Sequence, residues 1–249
     1  MSRRITHWIM FSLSLIGLAT LVSCSATTDQ QTSAHSPDPS HEEHVDCAVL
    51  RCVALTFDDG PDQFTEELLN TLKSAQIPAT FFLIGSKVEK YPGTVQRMSA
   101  EGHQVGSHTW DHSDITKLSG DQLDQQLIRT DTVIKKLTGD SPSAFRPPLG
   151  HHDVAHNKLV PYPLILWDVH SHDGRLKESN KIVDAVMDAI QPGSIILMHD
   201  TRQVTVHAVP ELLAQLKLKG YTLVTVDQLF DGNLRISTPY SSAPREPKQ

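Results

Sequence analysis

From residue 53 onward the chain repeats one pattern: a short apolar, β-branched run, a polar loop, then a stretch with helical periodicity. Strand-like runs fall at 53–57, 79–84, 103–106, 143–145, 164–167, 194–198 and 221–224. Helical stretches fall between them at 65–74, 92–101, 121–137, 182–190 and 209–219. Their ends carry the expected signals. Pro92 opens one helix and Gly102 follows it. Leu123, Leu127, Ile128, Ile134 and Leu137 keep helical spacing in another, which stops at Gly139. Strands that alternate with helices over this length predict a parallel α/β fold with closed or nearly closed strands.

The flanks read differently. Arg3 and Arg4 precede an apolar run from Trp8 to Val22, too short for a comfortable membrane span and placed where a secretory leader sits. It ends in Leu21-Val22-Ser23-Cys24, a string similar to the bacterial lipobox. The expectation is a lipoprotein signal peptide over 1–23 and lipidation of Cys24. Residues 24–46 are polar and proline-dotted and read as a flexible tether. A single domain is expected over 47–231, with a disordered tail over 232–249. Cys47 and Cys52, outside the reducing cytosol, are read as a small-loop disulfide, with a thiol metal site as the alternative. The formal net charge of −7 in 249 residues suggests no nucleic-acid partner.

Polar clusters follow five of the strand-like runs. They are Asp58-Asp59-Gly60-Pro61, 107–112 with His108 and His112, Arg146-Pro147-Pro148-Leu149-Gly150, 168–174 with Asp173, and His199-Asp200. In a barrel of parallel strands these ends converge on one mouth. Each cluster alone has a plain reading. Asp-Asp-Gly-Pro is a good turn. A histidine pair four residues apart is often incidental, although on a helical turn it would present both rings to a metal. The conjunction of all five at strand ends is what points to chemistry.

Together these strings resemble the polysaccharide deacetylase family. Thr56-Phe57-Asp58-Asp59-Gly60-Pro61 matches its first motif, His108 and His112 its second, Arg146-Pro147-Pro148-x-Gly150 its third, and Leu197-Met198-His199 its fifth. The resemblance implies a distorted (β/α) barrel of seven strands in one domain. It implies one divalent metal ion, Zn2+ first, with Co2+, Ni2+ or Mn2+ as alternatives, held by Asp59, His108 and His112. Asp58 would be the general base, held by Arg146; His199 would be the general acid, oriented by Asp173. The Leu149 backbone N–H would bind an oxyanion, and Pro147, Pro148 and Leu197 would line the substrate site. The implied reaction removes acetyl groups hydrolytically from an N-acetylated amino-sugar polymer, peptidoglycan N-acetylglucosamine or chitooligosaccharide. An acetylated cell-wall polysaccharide and, through the lipid anchor, a membrane are the expected partners. O-deacetylation of an acetylxylan-type polymer is the alternative on the same fold. A glycan- or metal-binding lipoprotein without catalysis is a further alternative, although binding alone needs no acid–base pair. A two-carboxylate glycosidase fits the histidine pair poorly.

The fourth motif departs from the family pattern. Trp167-Asp168-Val169-His170-Ser171-His172-Asp173-Gly174 keeps Asp173, but His170 replaces an expected aspartate and Gly174 the usual tryptophan. A more open pocket, or a wall supplied from elsewhere, is expected. His151, His152, His156, His170 and His172 crowd the neighbouring loops. They read as solvated loop residues, with a second metal or substrate contacts as the sharper alternative.

Overall fold

The computed structural model describes residues 45–244. The expected leader, Cys24 and residues 24–44 of the tether lie outside the described residues. The strands are β1 (Cys52–Asp58), β2 (Thr80–Leu83), β3 (Gln104–Ser107), β4 (Leu164–Ile165), β5 (Val169–His170), β6 (Ile195–His199), β7 (Thr222–Val224) and β8 (Pro239–Tyr240). The helices are α1 (Thr65–Ala75), α2 (Gly85–Val88), α3 (Pro92–Ala100), α4 (Gly120–Thr138), α5 (Val154–Asn157), α6 (Ser179–Ala189), α7 (Gln203–Leu218) and α8 (Val226–Leu229). Local chemistry sets several boundaries. Ser119 and Gln122 form a reciprocal capping box at the start of α4, and Gly139 ends it in the left-handed region at φ 89°.

All ladders between these strands are parallel, with the order β3-β2-β1-β6-β5. Parallel bridges from Ser107 to Phe145 and from Phe145 to Leu164 carry the sheet from β3 to β4. Chain continuity then leads from β4 to β5, so the wall curls round to a nearly closed, distorted (β/α) barrel. β7 has an unusual place. Ala54 pairs with Ile195 of β6 and with Val224 of β7, while Thr56 pairs with Leu197 of β6 and with Thr80 of β2. A strand has two edges, so β7 and β2 share the edge of β1 opposite β6. β7 takes the lower part of that edge and β2 the upper, and the Val226 N–H donates to Thr80 Oγ1 at 3.0 Å just beyond β7.

The two-residue period of β1 separates two cores. Val53, Leu55 and Phe57 pack outward with Leu68, Leu72, Leu212 and Leu216 of the helices. Cys52 and Ala54 point inward with Phe82, Ala144, Ile165, Ile195 and Val224. That parity continues to Thr56 and Asp58 and turns both into the barrel interior. Cys47 and Cys52 are joined as a disulfide at the start of β1.

Three readings are corrected. The tail expected to be disordered beyond residue 231 is ordered as far as residue 244. β8 pairs with β4, Leu166 N–H donates to the Tyr240 carbonyl at 2.7 Å, and Ala243 N–H donates to the Gly193 carbonyl at 2.8 Å. The strand expected at 143–145 is reduced to isolated bridges at Phe145. His108 and His112 do not lie on a helical turn: the segment after β3 is irregular, with Thr109 at φ 63° and His112 at φ 65°.

Candidate active site

The five clusters meet at the C-terminal ends of the strands. Asp58 is the last residue of β1, and Asp59 turns away in the left-handed region at φ 70°. His108 Nε2 lies 3.4 Å and His112 Nε2 3.3 Å from Asp59 Oδ1. The His108 ring is oriented from behind, its Nδ1–H donating to the Arg146 carbonyl at 2.7 Å, which leaves Nε2 to face the site. Burial works against a charge on Asp59, but His108, His199 and His112 around it together outweigh burial and hold the carboxyl at about 2.

These three residues fit a divalent cation. Their donor atoms lie within 4.8 Å of one another, the one such group among the described residues. Asp59 Oδ1 is buried without a hydrogen-bond partner, an acceptor that protein groups leave unsatisfied. Two imidazoles and a carboxylate form a borderline donor set of the kind zinc takes, and three protein ligands leave coordination positions open.

Asp58 sits 4.0 Å from His108 Nε2 and belongs to a different network. Arg146 is wholly buried inside the barrel. Its Nη1 donates to Asp58 Oδ1 at 2.7 Å and to Thr56 Oγ1 at 2.6 Å. Its Nε and Nη2 donate to the carbonyls of Ile165 and Leu166, each at 2.9 Å, where the wall breaks between β4 and β5. Its guanidinium lies 4.2 Å from the centroid of the Phe82 ring. The arginine thereby fills a gap in the wall and fixes Asp58.

Opposite stands His199, the last residue of β6. Its Nδ1 is 2.9 Å from Asp173 Oδ1, and its backbone N–H donates to Asp173 Oδ2 at 2.7 Å. Thr205 Oγ1 also donates to Asp173 Oδ2, at 2.8 Å. His199 Nε2 faces Asp59 Oδ2 at 4.0 Å. Burial alone would lower the proton affinity of His199, but the hydrogen bond and charge of Asp173, with Asp58 and Asp59, raise its pKa to about 9.

Leu149, exposed and at φ 62°, stands at the top of a tight turn closed by the Gly150 N–H onto Pro147 and the His151 N–H onto Pro148. Leu197 lies in β6 two residues before His199. Asp59, Thr109, His112, Leu149 and His172 are all non-glycine residues at positive φ on these strand-end loops. Such strain persists only where the surrounding structure enforces it, and it gathers at functional sites. Backbone strain of this kind carries no signature in residue type, so no pattern reading could have found it.

Asp168, part of the fourth cluster, turns elsewhere. It accepts from Ile195 N–H and Ser194 Oγ and so secures the start of β6. A side chain added at Gly174 would meet nothing within 4 Å, so this position is bordered by open space. His151 pairs with Asp114 and His156 with Asp153, which occupies two of the loop histidines in the surface network.

A parallel barrel whose strand ends gather a metal-type triad between a carboxylate and an imidazolium defines a hydrolase-like class of site. Known proteins locate it further. A family model for polysaccharide deacetylase matches residues 47–161. A peptidoglycan-N-acetylglucosamine deacetylase from Listeria monocytogenes is 38% identical over 189 residues, covering 76% of this chain and 41% of that protein. One from Bacillus cereus is 37% identical over 188 residues, covering 72% of this chain and 68% of that protein. A solved deacetylase structure with substrate is 48% identical with a TM-score of 0.78, covering 79% of this chain and 100% of that one. The chain belongs to the polysaccharide deacetylase family, and it spans under half the length of the Listeria relative.

Proposed function

We propose that the protein is a metal-dependent hydrolase that removes N-acetyl groups from an amino-sugar polymer, peptidoglycan N-acetylglucosamine first. The observation that carries this reading is the Asp59, His108 and His112 triad set between two separately wired groups, Asp58 on Arg146 and His199 on Asp173. Binding alone has no use for that pair. The donor set favours Zn2+, with Co2+, Ni2+ or Mn2+ as substitutes. When bound, the ion supplies Lewis acidity to the acetyl carbonyl and acidifies water near it. Asp58, kept free of the triad by Arg146, takes the proton from the attacking water. The Leu149 N–H donates to the oxygen that gains charge as the new C–O bond forms, and Pro147, Pro148 and Leu197 shape the surface around it. The C–N bond then breaks as His199 passes its proton to the departing nitrogen, and acetate and a free amine result. Asp173 keeps that proton on His199 until it is needed.

The proposed place of work is outside the cytoplasm, with Cys24 lipidated and the domain tethered to the membrane. The disulfide between Cys47 and Cys52 supports an oxidising compartment. Cys24→Ala is expected to move the protein from the membrane fraction to the soluble fraction.

The function is tested by acetate release from peptidoglycan, chitooligosaccharide and acetylxylan by Zn2+-loaded protein. Release from peptidoglycan above the other two supports the reading. Preference for acetylxylan replaces it with O-deacetylation, and no release from any of them overturns catalysis.

A further inference from the structure

His170 and His172 lie flat on each other at the mouth, ring centroids 4.5 Å apart and planes 17° apart. Trp167 meets the His170 ring edge-on at 6.1 Å. The Trp167 ring in turn lies under the oxyanion turn, so close that a side chain at Gly150 would come within 2.8 Å of it. The row runs from the Leu149–Gly150 turn to the residue that precedes Asp173. Trp167 and His170 are half-buried and His172 is exposed.

The hydrogen bonds inside the row decide what it can bind. The backbone N–H of His172 donates to His170 Nδ1 at 2.9 Å. Arg175 Nη2 donates to His172 Nδ1 at 3.2 Å. Both Nδ1 atoms are thus acceptors already in use, and in each neutral ring the proton sits on Nε2. Burial and the neighbouring His172 lower the pKa of His170, which favours that neutral state. A second metal would have to displace one of those donors or strip an Nε2 proton, and these histidines form no metal-type group. What remains is the exposed outer face of the His172 ring, with an Nε2–H donor on each of the two stacked rings. That face suits the C–H face of a sugar, and the donors suit its hydroxyl or carbonyl oxygens.

We infer that Trp167, His170 and His172 form a saccharide ledge that takes the sugar unit adjoining the one that loses its acetyl group. The ledge rests on the proposed deacetylase reading and names where its polymer is gripped. It also supplies, from the adjacent segment, the wall that Gly174 leaves out.

The test pairs His170→Ala with His172→Gly; glycine suits the φ of 58° at 172 and keeps the loop unstrained. Binding of the N-acetylglucosamine tetramer and monomer is measured by calorimetry, and acetate release from both is measured with Zn2+-loaded protein. The double variant is expected to bind the tetramer about tenfold more weakly, as the loss of two hydrogen bonds implies. KM for the tetramer rises in step, while kcat and activity on the monomer stay as in the parent. His170→Phe with His172→Phe keeps the rings without the donors and is expected to recover part of the loss. Unchanged tetramer binding, or an equal loss on tetramer and monomer, overturns the ledge. A parent protein that binds the tetramer but releases no acetate overturns the deacetylase reading and leaves the ledge to be judged on binding alone.

Discussion

Arg146 is a buried cation with donors committed to a carboxylate, a hydroxyl and two carbonyls. Replacing it and replacing its carboxylate partner should therefore have different outcomes. Arg146→Met leaves Asp58 charged and unpaired in the interior and is expected to cost about 3–5 kcal/mol of stability in urea unfolding. Asp58→Asn keeps an oxygen for Nη1 and stays folded. Its acetate release is expected to fall by about a thousandfold, while metal content, measured by mass spectrometry, stays at the parent level. Normal turnover in Asp58→Asn would remove Asp58 as the base. His199 gives a pH prediction. Its folded pKa of about 9 lies above the ordinary 6.5. Its stabilising effect is thus fully present below pH 6.5 and is lost as pH rises through 9. In Asp173→Asn, burial no longer meets an opposing partner carboxylate, and the ring should titrate well below 9. NMR titration of the metal-free protein checks this; a ring still at about 9 would assign the shift to Asp58 and Asp59.

At the scale of elements, the turn that leaves β1 at Asp58 carries Asp59 and is packed from below by the residue after β6. A side chain at Gly60 would sit 2.1 Å from Asp200 Oδ2. Asp200 is fully buried, pushed up to about 7 by that burial, and held by the Thr65 hydroxyl. Gly60→Ala is expected to displace the turn and weaken Zn2+ binding by at least about tenfold, a loss of about 1.4 kcal/mol. Gly174→Ala, facing open space, should leave binding unchanged, and calorimetric titration compares the two. The strand ends were readable in the sequence because periodicity marks where a buried strand stops and a polar loop begins. Asp58, Asp59, His108, Arg146 and His199 all stand at such stops. Other features were not readable. The four-residue spacing of His108 and His112 mimics a helix, and the left-handed φ that joins their rings has no mark in residue type. β8 is a two-residue edge strand that begins with proline, too short to show a period. The stacking of His170 on His172 depends on φ at His172 and on Arg175, neither of which spacing reveals.

For the whole molecule, residues 231–244 act as a strap that pairs with β4 and packs on the inner core through Leu234, Tyr240 and Ala243. β8 covers the free edge of β4, Phe230 packs edge-on against Tyr240, and Ala243 closes onto Gly193. Ending the chain at Phe230 is expected to lower the melting temperature by about 5–10 °C and to increase aggregation on heating, because an uncovered strand edge recruits other chains. Thermal unfolding with light scattering measures both. An unchanged melting temperature would reduce the strap to decoration. The place of β7 on β1, below β2, bears on a different matter, the order in which the protein can be assembled. Synthesis delivers β1 first and its neighbours β6 and β7 late. The opening strand therefore waits, half-paired, until nearly all of the domain has left the ribosome. Every shorter nascent chain displays the bare edge of this buried strand, and that edge is the place for a chaperone to hold.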